Sequence, residues 1–474
     1  LLVEPWETGS HLAWATGYRK ASRHDVHIVG LPGELWRWRL RGGALPLAEK
    51  ITAWIDTHGQ PDLLLVSGLV DVAEMLGLAR RNLSPDVAVV IYQHESQLVY
   101  PVANGNYDNG AALRNWMSWC AADLVLFNSY YHLRAVADAL PEFVTNLPDA
   151  THVPMLDHVV GKFEVFPVGV DLSHVPESEP FPVSAMEAPV LPRVYPPEPP
   201  PLPESGAALA DGGVVTGDGH SARNRTAVNG AVRNGVGKRH RNGIGHGSVS
   251  AGGMLLRRKK GEADRFVSSA LSAARRSGPP VILWPHRWER DKDPAAFIAA
   301  LDKVVAAGLE FRLVLAGQDP PSGAATAKAE REEAEKRFGS WILMSGELDR
   351  HEYLEALGRC DLVVSCARHE FFGVAIVEAV ASGCVPVLPN ALSYPELIRP
   401  PWHSAVLYKP GSFGTTLVDA VARIEELRSA TAGLSQSMRR FDWSVMAAVY
   451  DNRLEAVAAR LAGTSTGSRP AIPA

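Results

Sequence analysis

Runs of Val, Ile and Leu that are apolar on both faces recur through the first part of the chain, at 1–4, 26–30, 63–67, 87–92, 124–128 and 163–167. A strand covered by helices on both sides of a parallel sheet reads this way. Between them, 69–80 and 130–139 repeat apolar residues at helical spacing. The theme returns later. Strands are expected at 281–284, 312–316, 341–344, 362–365, 385–388 and 405–408, and helices at 294–307, 324–338, 350–358, 374–382 and 412–428. A last amphipathic helix is expected over 443–461. Alternating strand and helix predicts an α/β fold of two Rossmann-like, doubly wound parallel-sheet domains facing each other across a cleft. Ligands of such sheets bind at the carboxyl ends of the strands. The loops that follow strands are therefore where chemistry is sought.

The periodicity stops between the two halves. Eleven prolines fall between Pro176 and Pro203, and from Gly212 to Lys260 ten Lys/Arg face a single acid, Asp218. Such text buries too little apolar surface to offset the entropy of ordering it. Residues 176–262 are expected to be a disordered Pro-, Gly- and base-rich linker between domains at 1–175 and 263–442, with a C-terminal helix and tail over 443–474. The composition of the 474 residues, 46% hydrophobic and 21% charged, supports two sizeable cores. A net charge of −5 excludes polyanion binding by bulk charge, so any nucleic-acid contact has to come from a local patch. The four cysteines, Cys120, Cys360, Cys366 and Cys384, include no Cys-x-x-Cys pair, which argues against a zinc site or disulfide framework. No apolar run reaches the roughly 20 residues of a membrane helix, and nothing at the start resembles a targeting segment.

Five segments sit where functional loops are expected. His369-Glu370-Phe371-Phe372-Gly373 opens a helix that carries Glu378. On one helix the two glutamates would stand roughly 12 Å apart, beyond the ~5–9.5 Å of an acid–base carboxylate pair. They suit different parts of one elongated ligand, with the peptide N–H groups near Phe372 and Gly373 aimed at a phosphate. The plain alternative makes Glu370 a solvated cap and Glu378 a surface charge. The segment from Trp284 to Pro294 places Arg287 and Lys292 between strand and helix, able to neutralise a diphosphate without a metal. Asp293-Pro294 reads as an N-cap and first turn, and the alternative is a loop of exposed charge pairs. Glu7-Thr8-Gly9-Ser10-His11 follows the first strand, where glycine lets backbone approach a phosphate closely. His94 and Glu95 close the fourth strand, although a lone histidine is more often structural. In Phe127-Asn128-Ser129, Asn128 or Ser129 can cap the next helix.

Together these segments resemble the family-4 retaining glycosyltransferases of the GT-B fold. Glu370 and Glu378 match that family's Glu-x7-Glu donor motif, Arg287 and Lys292 its basic pair, and Gly9 its first glycine turn. The longer strings 93–101, 284–294, and 369–378 with Gly383-Cys384 are similar to the tRNA-queuosine mannosyltransferase family. So are Trp36-Arg37-Trp38-Arg39 and 122–129, and the resemblance covers about 1–172 and 280–460. That family usually has two glycines before Ser-His, where this chain has Thr8-Gly9.

The resemblance implies a GDP-mannose donor, no metal or other cofactor, and no membrane. It implies an acceptor hydroxyl on the cyclopentenediol of queuosine at the wobble position of a tRNA, with tRNA(Asp) foremost. The N-terminal domain would bind the acceptor and the C-terminal domain the nucleotide sugar. Glu370, Arg287, Lys292 and His94 would be catalytic. Gly9, Ser10, Phe371, Phe372, Gly373 and Glu378 would hold the donor, Glu378 at the ribose. His11, Glu95 and Asn128 would face the acceptor. A cytoplasmic enzyme is expected. The basic tract Lys238-Arg239-His240-Arg241 and Arg257-Arg258-Lys259-Lys260 is open to a nuclear-import, phosphate-binding or spacer role. Two rival readings stand beside this one. A family-4 enzyme with a lipid or glycan acceptor would carry a basic docking helix, but 44–58 has one lysine, Lys50, and two acids. A non-catalytic tRNA-binding module would have no reason to carry Arg287, Lys292, Glu370 and Glu378 together.

Overall fold

The computed structural model describes residues 1–100, 108–175, 278–317 and 325–464. The linker expected over 176–262 and its basic tract lie outside them. The first sheet contains β1 (Leu2–Glu7), β2 (Ile28–Pro32), β3 (Leu63–Ser67), β4 (Ala88–Gln93), β5 (Leu124–Phe127) and β6 (Phe163–Val165), in the order β2-β1-β3-β4-β5-β6. The second contains β7 (Val281–Trp284), β8 (Arg312–Ala316), β9 (Ile342–Gly346), β10 (Leu362–Val364), β11 (Val385–Pro389) and β12 (Leu407–Tyr408), in the order β12-β11-β10-β7-β8-β9. Every pairing is parallel. Successive strand residues bury on opposite faces: Leu2, Leu65, Val90 and Leu126 join one core, and Val3, Leu64, Ile91 and Val125 the other. Burial on both faces is why these runs show no alternation.

In the first sheet the chain goes from β1 to β2 on one side, then returns to β3 on the other. In the second it leaves β7 for β8 and β9, then returns to β10. These reversals open crevices at the carboxyl ends of β1/β3 and β7/β10. The segments singled out by sequence follow β1, β4, β5, β7 and β10. All therefore gather at or beside the two crevices.

The helices of the first half are α1 (Gly9–Ala21), α2 (Trp36–Gly42), α3 (Ala44–His58), α4 (Val72–Ala79), α5 (Asn109–Ala121), α6 (Tyr130–Thr145) and α7 (Leu156–Val160). Those of the second are α8 (Pro294–Ala306), α9 (Ala325–Phe338), α10 (Arg350–Arg359), α11 (Val374–Ala381), α12 (Tyr394–Leu397), α13 (His403–Val406), α14 (Phe413–Ala422), α15 (Ile424–Ala430), α16 (Leu434–Ser437) and α17 (Trp443–Thr464). Three local expectations need correction. The segment after β1 is not a loop: Gly9-Ser10-His11 is the first turn of α1. The helix expected over 412–428 is interrupted at Arg423, which leaves helical geometry. The strand expected over 405–408 shrinks to Leu407–Tyr408, because α13 takes the residues before it.

The two sheets belong to one compact unit. The chain returns at its end to the half where it began. In α17, Trp443 packs against Gly17 and Gly169, and Tyr450 Oη donates to the Pro167 carbonyl at 2.9 Å. The Asp451 carboxylate accepts from Tyr18 Oη (2.7 Å), Ser22 Oγ (2.6 Å) and the Arg23 N–H (2.9 Å). Among the described residues, no helix is long and apolar enough to cross a membrane.

Candidate functional site

The second-sheet crevice is built from the loops after β7 and β10. Lys292 is only 9% exposed. Its ammonium donates to the His369 carbonyl (2.9 Å) and the Glu370 carboxylate (3.2 Å), and pairs with Asp291 (3.2 Å). Burial works against the cation, but Glu370 and Asp291 outweigh it and hold Lys292 above its ordinary value. Burial likewise opposes the Glu370 anion, and Lys292 outweighs it, keeping that carboxyl below the usual range. The neighbouring histidines go the other way. Burial, reinforced by Lys292, lowers His286 to about 3 and His369 to about 4. The two loops thus enclose an ammonium paired with two carboxylates and flanked by neutral imidazoles.

Glu370 does not lie on α11, so the helix-axis separation expected from Glu378 does not apply. It stands in the loop before that helix, and its second oxygen accepts from the Phe372 N–H at 3.3 Å. Gly373 turns the chain into α11 with φ of +99°, in the left-handed region that favours glycine. The Glu370 carboxylate therefore bridges Lys292 and the amino end of α11. Glu378 is buried rather than a surface charge, and it pairs with Arg350 at the start of α10. Burial pushes the Glu378 carboxyl up, with Arg350 pulling against it. Arg287 is half-exposed and holds Glu289 at 3.3 Å, free to turn toward a ligand.

The first-sheet crevice holds a denser polar cluster. Glu4 on β1 is fully buried. Its Oε1 accepts from the Trp6 N–H (2.9 Å) and stands 3.1 Å from His11 Nδ1, which also lies 3.3 Å from Ser67 Oγ. The His11 and His94 rings are 4.2 Å apart, centre to centre. Burial disfavours charge on His11, but Glu4, and then Glu95, more than compensate, and its value is raised. Burial and the nearby His11 drive His94 far below its ordinary value. His94 Nε2 has no hydrogen-bond partner among the described residues. Glu4, His11 and His94 present ligand atoms all within 4.8 Å of one another, a donor set able to hold a divalent ion. Gly9, with φ of +52°, begins α1, and the Thr8 side chain before it makes no capping hydrogen bond. The amino end of α1 is open to an anion.

Asn128 and Ser129 divide their work. Ser129 caps α6 by accepting from the His132 N–H at 3.0 Å. The Asn128 amide donates to the His94 carbonyl (2.8 Å), and its oxygen meets His132 Nδ1 (2.9 Å). Both ends of Asn128 are thus engaged inside the protein, where they hold the His94 loop in place.

The two crevices face each other. The His132 ring stacks on Phe371 at 3.7 Å, and Tyr100 meets His369 at 4.9 Å. Glu396, carried by α12, accepts from the Tyr130 N–H (2.7 Å) and the Tyr131 N–H (2.5 Å). The second half thereby caps a helix of the first. Burial raises the Glu95 carboxyl, against the pull of His11 and then Arg287, placing Glu95 within reach of charges from both halves. Sequence reasoning missed Glu4, Arg350 and Glu396. Only Glu4 left a signal, as a carboxylate inside an otherwise apolar strand run.

A family model described as tRNA-queuosine alpha-mannosyltransferase N-terminal matches residues 1–170, and one described as glycosyl transferases group 1 matches 271–441. The chain is thus similar over its first part to the N-terminal region of the tRNA-queuosine alpha-mannosyltransferases and over its later part to the group 1 glycosyl transferases. It is a hexosyltransferase of the GT-B fold. A curated member from Drosophila melanogaster is 26% identical over 402 residues, covering 84% of this chain and 81% of the relative. A Mycobacterium tuberculosis relative, named as a GDP-mannose-dependent alpha-(1-6)-phosphatidylinositol dimannoside mannosyltransferase, is 29% identical over 157 residues, covering 32% of this chain and 39% of its own. Among solved structures, sucrose-phosphate synthase from Thermosynechococcus elongatus superposes with a TM-score of 0.56 at 13% identity, covering 97% of this chain and 99% of that one. Anabaena HepE, in complex with UDP and glucose, gives a TM-score of 0.55 at 14% identity, covering 96% and 100%. At those identities the likeness is one of fold.

Proposed function

We propose that this chain transfers mannose from GDP-mannose to a cyclopentenediol hydroxyl of queuosine, at the wobble position of a tRNA, with retention of anomeric configuration. The observation that carries the reading is the Lys292–Glu370 pair at the amino end of α11, next to Phe371, whose ring stacks on His132 of the first half. The N-terminal family match and the Drosophila relative support the acceptor, and the name of the mycobacterial relative supports the donor. tRNA(Asp) is the tRNA we assign.

In this reading the diphosphate lies between the amino ends of α1 and α11. Gly9 and Ser10 approach it from one side, and Phe372-Gly373 from the other. Lys292 and Arg287 neutralise it as the bond from the anomeric carbon to the β-phosphate oxygen breaks. Glu370, held by Lys292, takes the mannose hydroxyls, and Phe371 lines the sugar pocket. Glu378, held by Arg350, takes the ribose. The acceptor oxygen bonds to the anomeric carbon on the face the phosphate leaves, and its proton passes to the departing phosphate. His94, neutral, stands beside the sugar. His11, whose charged form Glu4 favours, and Glu95 orient the acceptor. The protein contributes position and charge rather than a covalent intermediate.

The test is incubation of the protein with GDP-mannose and queuosine-containing tRNA, followed by mass analysis of the wobble nucleoside. A hexose mass gain on queuosine is expected. Glu370→Ala, Arg287→Ala and Lys292→Ala are each expected to abolish most transfer while the fold persists. Wild-type turnover in all three would overturn the donor assignment, and an unmodified wobble nucleoside with active protein would overturn the acceptor.

A further inference from the structure

Helix α2 presents side chains that neither core uses. Trp38 is 72% exposed, Trp36 41% and Leu35 74%. Leu40 alone in the helix is buried and anchors it. Large exposed apolar side chains in a cluster mark an interaction site. Interleaved with them are Arg37, Arg39 and Arg41, with no acid from Leu35 to Gly42. The Arg37 guanidinium lies 5.2 Å from the centre of the Trp36 ring. Arg39 donates to the Pro32 carbonyl at 2.7 Å and ties the helix to the end of β2. Arg41 reaches Asp108 at 3.3 Å, an exposed pair that a phosphate can displace.

Position adds the second argument. α2 follows the carboxyl end of β2, beside β1, whose end carries the Glu4–His11 cluster. Just before α2, Gly33 lies so close to Thr8 that a Cβ there would stand 2.2 Å from the Thr8 methyl. The aromatic helix and the first turn of α1 are therefore neighbours on one rim. A partner resting on α2 extends into the crevice.

We propose that α2 is a stacking platform for the single-stranded nucleotides of an RNA loop. An unpaired base lies on the exposed face of Trp38, and Arg37 and Arg41 hold flanking phosphates. The inference rests on the proposed acceptor and deepens it, because a wobble nucleotide can enter the crevice only if its loop is held open beside it. Every base has a π-face, so aromatic rings grip single strands of any sequence, and arginine adds both phosphate contact and stacking. The chain's net charge of −5 offers no bulk attraction to RNA, so a local patch must supply it. An anionic lipid surface is the other chemistry that takes tryptophan and arginine. It needs one continuous apolar stripe, whereas residues two apart on a helix point roughly 200° apart. Trp36 and Trp38 therefore face different ways.

The test uses the full chain with two RNA probes, a labelled hairpin bearing a single-stranded loop and queuosine-containing tRNA, and phosphatidylserine vesicles as the comparison. Trp38→Ala is expected to weaken hairpin binding roughly tenfold and to raise the KM for tRNA, with the KM for GDP-mannose unmoved. Trp38→Phe is expected to restore both. Arg37→Ala with Arg41→Ala is expected to flatten the salt dependence of RNA binding. Wild-type transfer to tRNA with an unchanged KM in Trp38→Ala would overturn the role of α2 and leave the proposed function standing. A wild-type chain that binds GDP-mannose but no RNA would overturn both. Trp38-dependent vesicle binding without any effect on RNA would assign α2 to a membrane instead.

Discussion

Two histidines with their rings 4.2 Å apart have their pKa values moved in opposite directions, and the carboxylates near His11, Glu4 first and then Glu95, make the difference. Glu4 hydrogen-bonds His11 and not His94, so the charged form of His11 is favoured while burial disfavours that of His94. Pairs separated in this way are how a site holds an acid and a neutral imidazole side by side at one pH. The raised folded-state value of His11 means that its charged form contributes stability at pH below the unfolded value. That contribution is lost as pH rises through the raised value. If cationic His11 orients the acceptor, transfer should fall along the same basic limb. Glu4→Gln keeps the shape but removes the larger of the two charges that oppose burial, leaving only Glu95. The basic limb of kcat/KM against pH is expected to move to lower pH, with the acidic limb in place. A profile identical to wild type would remove His11 from the reaction.

At the scale of elements, α1 and α17 show tertiary contact overriding local propensity. Gly17 sits in the interior of α1, where alanine ordinarily favours a helix by roughly 1 kcal/mol. Here a Cβ would stand 2.1 Å from Trp443 Nε1, and Trp443 is itself buried. Gly17→Ala is expected to destabilise the fold by about 1–3 kcal/mol, read as a lower urea midpoint with the slope unchanged. A higher midpoint would mean that the tryptophan moves freely and that α17 is not packed against α1 this way. The same pairing explains why α1 escaped the sequence reading. Its exposed face alternates polar and apolar residues irregularly, and its buried residues, Trp14, Ala15 and Tyr18, face a helix that comes more than 400 residues later.

Across the whole molecule, the two halves are joined by α17 on one side and by Glu396 on the other. The Glu396 carboxylate sits on the amino end of α6, where helix dipole and free N–H groups favour an anion. The contact accompanies the stacking of His132 on Phe371, the residue after Glu370. Glu396→Ala is expected to loosen closure and lower kcat/KM on the order of tenfold, equivalent to ~1.4 kcal/mol. GDP-mannose hydrolysis without transfer should rise, because closure is what excludes water. Unchanged coupling between donor loss and transfer would mean that closure does not depend on this cap.

The sequence by itself determined the fold class, the twelve strands to within three residues of their observed ends, and the loops that carry charge. Each follows from local chemistry: an unbroken apolar run marks a strand buried on both faces, and Asp293-Pro294 supplies the cap and first turn of α8. Only the tertiary structure decided which charges meet. Lys292 and Glu370 are 78 residues apart, Glu396 and Tyr130 are 266 apart, and Asp451 and Tyr18 are 433 apart. No local period encodes such pairings, because they exist only after two sheets have formed and turned their strand ends toward each other.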